Sequence, residues 1–169
     1  MHYTYTFCPR CSGRMIEREI AGRLRPVCPA CGLIVYQNPR VVAGVISVLD
    51  GKVALVRRAM NPRLGTWVFP GGYVDVGETV DDAARRETWE ETGLHVHLER
   101  LLGVYSRQGE DVVLIVYVGH VVDGELTAGE EQIEAAWFAP AGLPEASELG
   151  FWSTVAAIED WRMTSSYHV

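Results

Sequence analysis

Glu87, Glu90 and Glu91 stand at positions i, i+3 and i+4, a spacing that lays three side chains on one face of a helix within about one turn. A helix over residues 80–92 carries them at its C-terminal end, where the macrodipole disfavours each anion by roughly 0.3–1 kcal/mol. Helix stability does not select such a cluster. Arg86, one residue earlier, can pair with Glu90 but supplies a single cation against three anions. Hard carboxylate oxygens grouped this way suit Mg²⁺ or Mn²⁺, ions that combine carboxylates with waters and substrate phosphate oxygens. Taken alone, a glutamate triplet is more often a solvent-facing acidic stripe.

The second group able to do chemistry lies at the other end of the chain. All four cysteines fall within the first 31 residues, as Cys8-Pro9-Arg10-Cys11 and Cys28-Pro29-Ala30-Cys31. Two C-x2-C knuckles at this separation are a zinc pattern. Four thiolates close a tetrahedral Zn²⁺ shell and leave no position for a substrate, so the zinc is read as structural. Paired disulfides are the competing reading, and nothing marks the chain as secreted.

The elements that must position these groups follow from the pattern. Arg14–Ile20 and Arg23–Val27 read as a short hairpin turning at Ala21-Gly22, making a zinc ribbon of residues 1–38. After Gln37-Asn38-Pro39, Val41–Leu49 and Lys52–Ala59 read as strands joined at Asp50-Gly51, a strong hairpin dipeptide. A segment ending Trp67-Val68-Phe69-Pro70-Gly71-Gly72 leads to the helix, which Thr79 caps and Gly93 ends. Further strands are expected at His95–Tyr105, Val112–Val122 and Ile133–Phe138, and an amphipathic helix at Leu149–Trp161. The fold class is α+β, a sandwich over residues 39–169 with the ribbon in front.

The frame around the glutamates overturns the acidic-stripe reading. It runs Gly72, five residues, Glu78, seven residues, Arg86-Glu87, two residues, Glu90-Glu91, one residue, Gly93-Leu94. Chance produces such a frame at a given start with probability below about 10⁻⁸, from residue usage of ~5–7% each. The frame resembles the Nudix box, and the resemblance implies the family's α/β/α sandwich. Thr88 departs from the aliphatic residue usual there without touching a ligand. By the same resemblance Glu87, Glu90 and Glu91 hold the catalytic Mg²⁺ or Mn²⁺ ions, Glu78 shapes the loop or joins a water-mediated shell, Arg86 orients a glutamate and Gly71 offers its carbonyl as a further ligand. Catalysis on a diphosphate is mostly positioning and charge neutralisation, and bound metal also makes hydroxide available near neutral pH. The general base in this family lies in the box or on a later loop. Glu130, Glu131 and Glu134 are candidates, with Glu131 preferred because Thr127–Gln132 reads as a mobile loop.

Ribbon and box together resemble the NADH pyrophosphatases and the plant-type FAD and ADP-ribose pyrophosphatases. The SQPWPFP-like motif of the former is absent: the chain has Tyr105-Ser106-Arg107-Gln108-Gly109-Glu110-Asp111. The latter match better, through Tyr36-Gln37-Asn38-Pro39 and Arg86-Glu87-Thr88-Trp89-Glu90-Glu91. ADP-ribose or FAD, cleaved to release AMP, is therefore the expected substrate, with NADH or another nucleotide as the alternative. Tyr36, Trp67, Phe69 and Tyr105 are candidates for stacking on a base, and Arg57 and Arg107 for meeting phosphate. Each also fits packing or ordinary surface.

Composition is that of a globular protein, 48% hydrophobic and 22% charged, with no composition bias toward disorder. The net charge of −7 is uneven: residues 1–40 carry +4 and the remainder −11. An acidic body repels a phosphate ligand unless a cation intervenes, in keeping with bound metal. A nucleotide-sensing or nucleic-acid-binding role for the ribbon arginines is the reading from another class. Four thiolates on Zn²⁺ add −2 there, which argues against a nucleic-acid partner. No signal peptide or membrane span is read, so a cytoplasmic location is expected, with a homodimer as the assembly to test.

Overall fold

A computed structural model describes residues 5–165 of the chain. The chain divides into two compact units, Met1–Pro39 and Arg40–Val169. In the smaller unit, β1 (Ile16–Ile20) and β2 (Arg23–Val27) form an antiparallel hairpin in the register Ile16↔Val27 to Ile20↔Arg23. Its core is Cys8, Met15 and Cys28, with Cys31, Leu33 and Val35 packed against them.

The larger unit is built on a seven-stranded mixed sheet. Its strands are β3 (Arg40–Leu49), β4 (Lys52–Arg58), β5 (Trp67–Val68), β6 (Gly71–Tyr73), β7 (His95–Tyr105), β8 (Val112–Asp123) and β9 (Gln132–Phe138). The backbone order is β5-β4-β3-β8-β7, with β6 on β3 and β9 on β4. The Asp50-Gly51 turn has both residues at positive φ, as the tight hairpin geometry demands. The hairpin it closes pairs only Val48↔Val53 and Leu49↔Lys52 before β3 and β4 part. Into the opening fold Trp67-Val68 against β4 and Gly71-Gly72-Tyr73 against β3. These short strands escape period-2 patterning because each is two or three residues long.

Helix α1 (Val80–Thr92) begins at Thr79, whose side chain accepts from the Asp82 N–H, and ends at Gly93 in the left-handed conformation. Helix α2 (Trp152–Ser165) starts three residues later than the apolar pattern suggests and runs past Trp161. The period of two in β3 sends Ala43 and Val45 to one face, where they meet Ala83 and Ala84 of α1 with Val96. Ile46 goes to the other, with Leu55, Val116 and Val118 beneath Ala157, Ile158 and Trp161 of α2. The result is the expected helix–sheet–helix sandwich. Among the described residues no helix is long and apolar enough to cross a membrane.

The interface between α1 and β3 uses small side chains. Thr88 is fully buried, and its hydroxyl is satisfied by the Ala84 carbonyl at 2.7 Å. The Thr92 hydroxyl donates in turn to the Thr88 carbonyl. Ser47 is also fully buried, and its Oγ has no partner.

Candidate active site

The carboxylates of α1 meet the main chain of β6. Gly71 lies opposite Gly44 on β3, and a Cβ on it would stand 2.6 Å from the Ala43 carbonyl oxygen. A Cβ on Gly72 would overlap the Glu87 carboxylate. Only glycines allow strand and helix to approach this closely. The Gly71 N–H donates to Glu91 Oε2 at 2.9 Å, and Gln132 Nε2 donates to Glu91 Oε1 at 2.7 Å.

Arg86 organises the opposite side. Its Nε and Nη2 grip both oxygens of Glu78, at 2.8 and 2.9 Å. Nη1 donates to Glu87 at 2.7 Å and Glu90 at 3.0 Å, and Nη2 also reaches the Tyr73 carbonyl at 3.1 Å. A guanidinium fork matched to a carboxylate in this way is a strong, directional contact. Glu78 closes its own loop as well, accepting from the Asp75 N–H at 3.2 Å. The hydrogen bonds from Arg86 hold the Glu78 carboxyl below its ordinary range. They also secure the charge on Arg86 itself, with Glu78 contributing first and Glu87 second.

The buried end of the cluster behaves differently. Glu87 is pushed up by desolvation, with Arg86 opposing and the charges of Glu90 and Glu78 adding to the rise. Glu91 is pushed up to about 7, chiefly by burial, against the pull of the Gly71 N–H; the charge of Glu87 adds to the rise. A carboxylate desolvated beside other carboxylates is a group that gains from a cation. The hard oxygen set therefore fits Mg²⁺ or Mn²⁺.

The loop ahead of β9 is hydrogen-bonded to α1. The Thr127 N–H donates to the Thr92 carbonyl and the Gly129 N–H to the Glu91 carbonyl, at 2.9 and 3.0 Å. This ties the loop to the last turn of α1. Glu131 lies close enough for its charge to raise Glu91 further. Glu134 is drawn instead toward Arg57, at 3.7 Å, while exposure does not distinguish the three, since Glu130, Glu131 and Glu134 are all exposed. Gln132 and Gly129 escaped the sequence reading, because their role depends on β9 lying along β4, a pairing no local pattern announces.

Two of the stacking candidates are core residues, since Phe69 is 5% and Tyr105 9% exposed. The Tyr105 hydroxyl donates to Asp160 at 2.8 Å, and Trp67 packs edge-on against Phe138. Arg107 is engaged by Glu110 at 2.6 Å and lies over the Trp152 ring. Arg57 is held by the Gly65 carbonyl at 2.8 Å.

In the smaller unit the four cysteine sulfurs lie within 4.8 Å of one another. Cys8 and Cys31 are 3.6 Å apart, and Cys11 and Cys28 3.5 Å. A tetrahedral ion with bonds of ~2.3 Å needs sulfurs roughly 3.8 Å apart, so the set fits zinc. All four are free thiols, in place of the alternative disulfides. The knuckles are built alike, with the Cys8 N–H on the Gly13 carbonyl and the Cys28 N–H on that of Leu33, both at 2.8 Å. Burial pulls the Cys8 thiol upward, but hydrogen bonds from the Arg10 and Cys11 backbone lower it to about 7.

Comparison with known proteins gives a consistent picture. The family model for the NUDIX domain matches residues 38–157. An ADP-ribose pyrophosphatase from Methanocaldococcus jannaschii is 42% identical over 114 residues, covering 65% of this chain and 68% of that protein. The NAD-capped RNA hydrolase NudC of Chromobacterium violaceum is 29% identical over 144 residues, covering 84% of this chain. This chain spans only 53% of that relative's length. The crystal structure of a NUDIX hydrolase from Nitrosomonas europaea superposes with a TM-score of 0.91 at 30% identity, covering 97% of this chain and 94% of that one.

Proposed function

Because the chain belongs to the Nudix family of hydrolases, a pyrophosphohydrolase family acting on nucleotide derivatives, we propose that it cleaves the diphosphate of ADP-ribose or FAD and releases AMP. The supporting observation is the seating of the α1 carboxylates on the Gly71-Gly72 main chain, with Glu87 against Gly72 and Glu91 bonded to the Gly71 N–H. In this reading Glu87, Glu90, Glu91 and the Gly71 carbonyl hold Mg²⁺ or Mn²⁺. When bound, such ions neutralise phosphate charge and acidify water.

The protein's own groups set the geometry. Arg86, clamped by Glu78, fixes the direction of Glu87 and Glu90. Gln132 and the Gly71 N–H fix Glu91. Glu131, whose charge is felt at Glu91, is the group we assign to accept the proton of the attacking water. The four cysteines hold a structural Zn²⁺. The ADP-ribose choice is supported by the 42% identical relative of that description. The alignment with NudC, which extends over 84% of this chain, supports a second reading with an NAD-type nucleotide or a nucleotide-capped RNA as substrate.

Turnover of ADP-ribose, FAD, NADH and NAD-capped RNA, each assayed with Mg²⁺ and Mn²⁺, tests both readings. The expected result is metal-dependent AMP release from ADP-ribose or FAD, reduced at least about 100-fold by Glu90→Gln. Undiminished turnover in that variant would remove the assignment.

A further inference from the structure

The register of the ribbon hairpin sorts its charges. Cross-strand partners share a face and alternate along the strands. Arg18↔Arg25 and Ile20↔Arg23 therefore lie on one face, while Glu17↔Pro26 and Glu19↔Leu24 lie on the other. All three arginines of the hairpin stand together, and both of its acids are turned away from them. The net charge of the segment conceals this.

The arginine face has the further features of a binding surface. Arg18 and Arg23 are exposed and make no ion pair among the described residues. Arg18 sits directly opposite Arg25, and like charges across a ladder cost stability, so folding alone does not select the pair. The Arg25 guanidinium lies 4.5 Å from the centroid of the Tyr36 ring, and its Nε is buried without a partner. Tyr36 is 57% exposed, so one aromatic surface beside the three cations remains open. The −2 of a zinc-thiolate cluster does not cancel this charge at the hairpin's tip. Arg23 stands five positions from Cys28, roughly 16 Å of extended chain, which exceeds the ~8 Å screening length at physiological salt.

We propose that this face, Arg18, Arg23 and Arg25 with Tyr36, binds single-stranded nucleic acid. The guanidiniums take phosphates, and Tyr36 stacks a base. Guanidiniums alone would serve an acidic protein equally. The exposed aromatic beside them is what a single strand with unpaired bases uses. The inference is independent of the substrate assigned to the carboxylate site.

Fluorescence anisotropy of a labelled oligouridine with the full chain tests it. Saturable binding is expected at low salt. Arg18→Gln combined with Arg23→Gln should flatten the dependence of log K on log salt by ~1.4, at ~0.7 per phosphate contact on a single strand. Tyr36→Leu should weaken binding about tenfold, whereas Glu17→Gln with Glu19→Gln should leave it equal or tighter. ADP-ribose hydrolysis by the arginine and glutamate variants should not change, which separates loss of this face from damage to the other unit. The proposal is overturned by an absence of saturable binding. An unchanged affinity and salt slope in the double arginine variant overturns it too, as does a duplex bound more tightly than the single strand. A concentration-dependent dimer of the free protein that the arginine changes dissociate would give the face to a second copy instead.

Discussion

Glu91 concentrates the chemistry of the site in one side chain. Its carboxyl, raised from 4.5 to about 7 by burial, is costly when ionised in the absence of a cation. A folded value above the unfolded one means that its contribution to stability is complete below pH ~4.5 and is lost as pH rises through about 7. The loss is on the order of 3 kcal/mol at most. Urea denaturation of metal-free protein from pH 5 to 8.5 should therefore show falling stability, and Glu91→Gln should flatten the curve while abolishing turnover. Calorimetry of Mg²⁺ or Mn²⁺ binding near pH 7, in buffers of different ionisation enthalpy, should show proton release that Glu91→Gln removes. Ser47 is a different case, a buried hydroxyl with nothing to bond. Ser47→Ala should be neutral or stabilising by up to about 1 kcal/mol, as measured by thermal denaturation.

At the scale of elements, the two helices are held by unlike means. Helix α2 is anchored by large side chains, Trp161 foremost, at 4% exposure. Trp161→Ala should cost about 3–5 kcal/mol in chemical denaturation. Helix α1 sits on Ala83, Ala84, Thr88 and Thr92, and its position is set by its caps and by the glycines facing it. Gly72→Ala should leave folding nearly intact by circular dichroism yet depress kcat at least about tenfold, because the new Cβ displaces the Glu87 carboxylate. Much of α1 was legible in the sequence: Thr79, Gly93 and the glutamate spacing are local signals, and local signals survive folding. The site's remaining parts were not. Gln132 reaches Glu91 only because β9 pairs with β4. Phe69 and Tyr105 look like binding aromatics until the sheet covers them. The last helix was displaced because Leu149, Gly150 and Phe151 are apolar or small without being helical: Leu149 bridges to Trp67, and the Gly150 N–H bonds to its carbonyl.

For the whole molecule, two compact units imply two sources of stability, one the proposed zinc shell on the four cysteines and the other a sandwich core. Heating should resolve two transitions by calorimetry. A zinc chelator should abolish the transition of Met1–Pro39 while leaving that of the sheet in place. The uneven distribution of charge belongs to this scale as well. The acidic surplus of the larger unit needs cations to admit a diphosphate, whereas the arginine face of the smaller needs none to hold a polyanion.

The early parting of β3 and β4 also bears on how the protein is made. The turn at Asp50-Gly51 and the capping of α1 join residues close in sequence, and the docking of β6 on β3 joins residues nearer in sequence than the β3–β8 ladder does, so all three become available early on a nascent or refolding chain. The ladder that unites the sheet is the parallel pairing of β3 with β8, which joins Arg40 to Val112, and Gln132 arrives later still. In stop-flow refolding, helical signal should therefore return before enzymatic competence. A ribosome-bound fragment ending near residue 125 should hold its glutamates on a helix and yet turn nothing over.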